Sequence, residues 1–347
     1  MDDASNAPMG QLAAHLDRGW DLVGRGDYSG AMLSAQKSLE LDEASPEAHY
    51  LIGFIYQAQG RAEEALEHYE QALELDEGYV DALLNSAEVM LHPVGDVDAA
   101  LRRVQMAREW LEEEEGTSDE LVDAMLLEAE IHLLNGDAQS AKSVVRDIPE
   151  GPYDNDRLAL SVGRARLDIG DVEGALPLIR AACELQPPIP DAFYYLALAL
   201  DATEDLTGAL IAFLQARELD AASPPPPWSI PLDQFEGRVQ SALTGLPAEA
   251  STLIEGALVV VTDLPGAEMV ADGVDPRVPV LLDALAEPDE PPRVGRIFVY
   301  KRNIERVAPG VFELDTEVAQ ALMHELAAAF GTTEPDEGEP PDEPEAT

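Results

Sequence analysis

The sequence is short of the residues that several common functions require. Among 347 residues there is one cysteine, Cys183, so no disulfide can close within the chain and no thiolate metal cluster can form. Basic residues are few: 21 Lys and Arg stand against 69 Asp and Glu, a net charge of −48. A polyanion of that size repels nucleic acid and anionic lipid, which sets both aside as partners. A basic protein or peptide is its electrostatic complement, and a solvated acidic surface is the plainer account of the same composition. No apolar run approaches the ~18 residues of a membrane span. The opening residues Met1-Asp2-Asp3-Ala4-Ser5 lack the positive charge and apolar stretch of a secretory leader. The expected compartment is the cytoplasm. Apolar residues make up 46% of the chain, enough for substantial cores, and the length suits two domains.

What the sequence has in quantity is a repeat. In 46–79, Gly53, Tyr56, Gly60, Ala65, Tyr69 and Ala72 hold offsets that return along the chain. Gly26, Gly60, Gly136 and Gly170 are separated by 34, 76 and 34 residues, and Ala31, Ala65, Ala141, Ala175 and Ala209 follow at matching places. Small residues suit the line where two helices touch, and large ones the gap between them. The spacing resembles the tetratricopeptide repeat (TPR), a helix–turn–helix unit of ~34 residues. Six units are expected, over 12–45, 46–79, 80–121, 122–155, 156–189 and 190–222, with residues 1–11 flexible ahead of them. Pro93 and Gly95 stretch the turn of the third unit. Units of this kind bury their apolar faces against their neighbours, so the resemblance implies a mainly helical solenoid over 12–222.

In such a stack the first helices line the ligand-binding face. The expected register puts Trp20, Tyr50, Phe54, Leu84, Glu88, Leu126, Glu130, Arg164, Tyr194 and Leu198 there. That surface is aromatic and acidic, so a basic or apolar peptide or protein is the expected ligand. The family's carboxylate clamp needs Lys and Asn where this chain has Leu16, Trp20 and Leu51, which disfavours an acidic C-terminal peptide. Trp20, Tyr50 and Phe54 have a second reading, as filling between packed helices, and the sequence leaves both open.

Four prolines, Pro224–Pro227, stop the last unit, and 223–231 reads as a linker. Beyond it the pattern changes. Leu232–Leu243 is amphipathic and predicts a helix; Ala257–Thr262 and Gly295–Tyr300 predict strands. Thr316–Phe330 predicts a helix capped by Asp315 or Thr316 and closed by Gly331. The region 266–292, rich in Pro, Asp and Glu, reads mostly as loop. The order makes a small α+β domain over 232–332. Arg293, Arg296, Lys301, Arg302 and Arg306 form a basic cluster that reads as surface, with docking against the solenoid or the tail as the other choice. The tail 333–347 holds seven acids and four prolines and reads as disordered.

Within that domain, Thr262-Asp263-Leu264-Pro265, the strand Ile297–Tyr300, the helix Arg302–Val307 and the run His324-Glu325-Leu326-Ala327-Ala328-Ala329-Phe330-Gly331 together resemble the small zincin-like metallopeptidases. In that family the last run reads His-Glu-x-x-His, whose histidines at i and i+4 grip zinc from one helix face while the Glu activates water. The resemblance makes His324 the first ligand, Glu325 the general base and Glu334, at the place of a third ligand, a remnant. Position 328 should be the second ligand and is Ala. The other five histidines, His15, His49, His68, His92 and His132, all lie in the repeats. Alanine keeps the helix while removing its chemistry. The segment Leu281–Leu285 stands where the family has a Gly-containing loop.

The expected protein is therefore an interaction scaffold without a resident cofactor. Its solenoid binds a protein or peptide, and its catalytically inactive zincin-like domain is a second module. The alternative is a weak zinc-dependent metallopeptidase with an incomplete site.

Overall fold

The structure, a computed structural model, describes residues 6–113, 119–153, 155, 157–285 and 293–331. It divides into two compact units at Ala182/Cys183.

The first unit holds five helical hairpins. They are α1 (Asn6–Gly24) with α2 (Tyr28–Leu41), α3 (Pro46–Ala58) with α4 (Ala62–Leu75), α5 (Val80–Val89) with α6 (Val97–Glu113), α7 (Asp119–Leu134) with α8 (Ala138–Asp147), and α9 (Leu158–Asp168) with α10 (Val172–Cys183). The repeat residues explain the hairpins. Gly26, Gly60, Gly136 and Gly170 each take positive φ, between 73° and 83°, and reverse the chain where a Cβ would be strained. Asp27, Asp137 and Asp171 then cap the second helices by accepting from the backbone N–H three residues on. Gly53 sets the closeness of α3 and α4: a Cβ there would lie 2.6 Å from the Tyr69 ring. The alanines at 31, 65, 72, 82, 100, 107 and 141 are fully buried. In the third hairpin a π-helical turn, Met90–Val94, ends at Gly95 with φ 78°, the stretched turn the sequence predicts. Helix α1 starts at Asn6, inside the stretch expected to be flexible.

The second unit begins with a sixth hairpin, α11 (Pro190–Ala202) and α12 (Leu206–Ala222). It continues through α13 (Leu232–Thr244), α14 (Ala248–Leu253), β1 (Leu258–Thr262), α15 (Ala267–Ala271), β2 (Val280–Leu285), β3 (Arg293–Tyr300), α16 (Lys301–Val307) and α17 (Leu314–Phe330). The sheet order is β1-β3-β2. β1 runs parallel to β3, with Val260 opposite Phe298; β2 runs antiparallel, with Leu282 opposite Ile297. Phe235 and Val239 of α13, Val280, Ile297 and Val299 of the sheet, Ile304 of α16, and Leu314, Val318, Leu322 and Leu326 of α17 form one core.

Three expectations change here. The region 266–292 is not mostly loop: Val280–Leu285 is a strand and Ala267–Ala271 a helix, while 286–292 lie outside the described residues. Prolines and acids on both sides hide a run whose β structure comes from pairing with β3. Helix α17 starts earlier than expected and has no side-chain cap; Asp315 instead bonds Arg238 of α13 at 3.3 Å. The segment 223–231, expected as a linker, lies inside the second unit, where Trp228 and Ile230 pack on the core. The tail 333–347 lies outside the described residues.

Candidate functional site

The first-helix residues of the first unit separate into packed and open ones. Tyr50 is a hub. Its ring lies 5.5 Å from Trp20, 6.5 Å from Phe54, 5.8 Å from Tyr69 and 5.2 Å from Tyr79, centroid to centroid. Its hydroxyl accepts from Asn85 Nδ2 at 2.8 Å, and the residue is only 9% exposed. Burial, with Asp81 nearby, pushes the Tyr50 phenol far above its usual pKa. Tyr50 therefore serves helix packing, and Trp20 and Phe54 lie against it with their rings partly buried. Leu84 and Leu126 are half-buried in the cores between hairpins.

The open residues are mostly charged. Glu88 accepts from Gln57 Nε2 at 3.4 Å, Glu130 lies 4.0 Å from His92 Nε2, and Arg164 pairs with Asp168 at 3.6 Å. Asp81, in the first turn of α5, and Asp123, one turn into α7, carry carboxyls raised above the ordinary range. Partial desolvation raises both, and Asp119, Glu120 and Glu88 add to the effect at Asp123.

In the second unit, Tyr194 does not present an open face. The guanidinium of Arg277, from the turn before β2, stacks 4.3 Å over its ring. The Tyr194 hydroxyl donates to Asp275 Oδ2 at 2.9 Å. Arg277 also donates to Asp220 at 3.0 Å and Asp191 at 2.6 Å, and only 9% of its side chain is exposed. A desolvated cation–π pair of this kind contributes on the order of 2 kcal/mol. Arg306 reaches Asp220 at 2.9 Å. Arg302 donates to the carbonyls of Ala221 and Ser223 at 3.2 and 2.6 Å, and Arg217 donates to that of Pro265 at 2.6 Å. Leu198, half-buried, lies one turn beyond Tyr194 on α11.

The basic cluster is thus not plain surface. Arg302 and Arg306 clamp the end of α12. Lys301 is buried, donating to Ser229 Oγ at 2.8 Å and pairing with Glu305 at 2.9 Å, while Ser229 donates to Glu305 Oε1 at 2.7 Å. Arg293 and Arg296 fit the surface reading: both are exposed, and Arg296 pairs across the strands with Asp283 at 2.6 Å. Sequence reasoning missed Arg277, Asp191 and Asp220 as site residues. Their separations, 57 and 86 positions, leave no local pattern to read.

On α17, Leu322 and Leu326 face the core, and His324 and Ala328 stand one turn apart on the exposed side, as the helical spacing requires. Glu325 is half-buried beside them, and Glu334 lies outside the described residues. Where the motif needs a second imidazole nitrogen, Ala328 offers a methyl group. Among the described residues no group of three or more His, Cys, Asp and Glu gathers to hold a metal. Among the described residues the motif's donors are His324 and Glu325, fewer than the three protein ligands typical of a catalytic zinc site.

Comparison with family profiles matches tetratricopeptide repeats at residues 46–79 and 162–224, and a zincin-like metallopeptidase at 255–338. The chain carries TPR hairpins and a C-terminal zincin-like domain. Its TPR part has the fold of two solved structures. One is PilF of Pseudomonas aeruginosa, with 17% identity, covering 62% of this chain and 95% of that one, at a TM-score of 0.52. The other is PilW, described as a type IV pilus biogenesis factor, with 14% identity, 61% and 94% coverage, and a TM-score of 0.50. No curated protein matches. Among the described residues no helix is long and apolar enough to cross a membrane.

Proposed function

We propose that the chain is a protein-interaction scaffold, a reading its TPR hairpins support, with proteins or peptides as partners. We propose, beyond that, that the partner is basic and that the zincin-like domain is a non-catalytic second module. The reading of the domain is carried by one pair: His324 faces outward with Ala328 where its fellow ligand belongs. Losing a residue that merely holds a metal ligand in place already costs ~10–100-fold in metal affinity, and a direct ligand matters more. Without a bound metal, a water beside Glu325 keeps the proton affinity of bulk water. The reading of the partner is supported by the exposed acids Asp81, Glu88, Asp123 and Glu130 and by the net charge of −48.

The test of the partner's charge is capture at two ionic strengths. A partner drawn by these acids is retained at low salt and lost when the screening length shrinks to ~3 Å in 1 M salt. Retention unchanged at high salt contradicts the basic-partner reading.

A further inference from the structure

Tyr194 opens the last hairpin four residues after Pro190, as Tyr50 follows Pro46 in the second. Tyr50 is enclosed by four other aromatic rings. At Tyr194 the place above the ring is taken by Arg277 instead, and everything around that guanidinium suits an arginine. The ring supplies a π face at 4.3 Å. Asp220, itself 5% exposed, receives two of its N–H groups at 3.0 and 3.3 Å, and Asp191 receives another at 2.6 Å. Asp275 ties the Tyr194 hydroxyl down at 2.9 Å and so fixes the ring. A lysine could not make this pattern, because its ammonium lacks the planar fork that meets two carboxylates while stacking on a ring.

We propose that Tyr194, Asp191 and Asp220 form a guanidinium receptor on the last TPR hairpin, closed in this chain by its own Arg277. Emptied of Arg277, the receptor takes an arginine side chain from another polypeptide. The zincin-like domain then acts as the hairpin's resident ligand: its loop 275–277 occupies the place where a partner's arginine would go. This rests on the reading of the TPR face as a protein-binding surface and narrows its ligand there to arginine. It is independent of whether the zincin-like domain retains catalysis.

The variant Arg277→Ala empties the receptor, and methylguanidinium is the probe. The readout is the thermal midpoint of the second unit's unfolding in the full chain, with methylammonium at equal concentration as the control for charge. The expected result is that methylguanidinium at millimolar concentration raises the midpoint of Arg277→Ala, that methylammonium does not, and that neither raises the wild type. Adding Tyr194→Ala to Arg277→Ala removes the response. A short Gly-Arg-Gly peptide is expected to bind Arg277→Ala at least ten-fold tighter than wild type. Equal responses to the two cations, persistence of the response without Tyr194, or equal peptide affinity for wild type and variant would each overturn the proposal. If Arg277→Ala fails to fold on its own, methylguanidinium and not methylammonium is expected to rescue its refolding; refolding that is indifferent to methylguanidinium overturns the proposal equally.

Discussion

His68 of α4 holds its Nδ1 3.5 Å from Nδ1 of His49 on α3. The two rings stack at 5.7 Å, Tyr56 stacks on the other side of His68 at 5.6 Å, and Arg61 lies 4.4 Å over Tyr56. The Nε2 of His49 lies 3.4 Å from the Glu43 carbonyl, an arrangement that suits Nε2–H donating there and leaves Nδ1 as the acceptor facing His68. This column joins the two helices of the second hairpin. Desolvation holds the His68 pKa below its ordinary 6.5, the like charge of His49 pushes it lower, and Glu67 opposes both.

The first unit should therefore lose stability on mild acidification. Below about 6.5 the unfolded chain binds a proton at residue 68 that the folded chain still refuses, so stability falls as pH drops from 6.5 toward the depressed folded value. Denaturant midpoints of wild type and His68→Gln, taken from pH 7.5 to 5, check this. The wild type is expected to fall more steeply across that window, and parallel curves contradict the assignment.

Glu204 occupies, in the last hairpin, the turn position that glycine fills at 26, 60, 136 and 170, and it takes φ 63°. A left-handed conformation costs a non-glycine residue ~1–2 kcal/mol, of which the greater freedom of unfolded glycine cancels part. Glu204→Gly should stabilise the second unit by about 0.5–1 kcal/mol in chemical denaturation. A loss of stability would mean that contacts of the Glu204 side chain outweigh the strain.

Lys301 and Glu305 form a buried ion pair whose partners are 7% and 0% exposed, and Glu305 Oε2 has no hydrogen-bond partner among the described residues. Removing one charge leaves the other buried and uncompensated, which costs ~3–5 kcal/mol, whereas replacing both by apolar groups is often neutral. Lys301→Met should destabilise the second unit by about that much, and Lys301→Met with Glu305→Leu should recover most of the loss. Additive losses in this double-mutant cycle would contradict the coupling.

How far the sequence was legible depends on the range of the interactions. The hairpins were readable because Gly60 and its fellows reverse the chain through their own backbone, and Ala65 and Tyr69 pack against residues of the same unit. β1 and β3 were readable as dense β-branched runs. β2 was not, because Val280–Leu285 is short, interrupted by Asp283 and made a strand by pairing with β3. That positions 324 and 328 share one helix face followed from helical spacing; that this face is exposed did not. The packed state of Tyr50 required knowing which side of α3 meets α4 and α5. The arginine clamp was invisible, because a stretch that reads as Pro-rich loop carries Arg277, and its partners Asp191 and Asp220 are ordinary surface-type residues until the fold buries them. The same holds for Arg302 and Arg306, which composition alone places in solvent.

The central claim is that this zincin-like domain lacks a metal seat. Its most direct test is the zinc content per chain after dialysis against trace zinc, measured for wild type and Ala328→His beside a peptide-cleavage assay. The account predicts no stoichiometric zinc and no cleavage in the wild type, with metal binding regained when position 328 is histidine. One zinc per wild-type chain, with chelator-sensitive cleavage lost in Glu325→Gln, would contradict it.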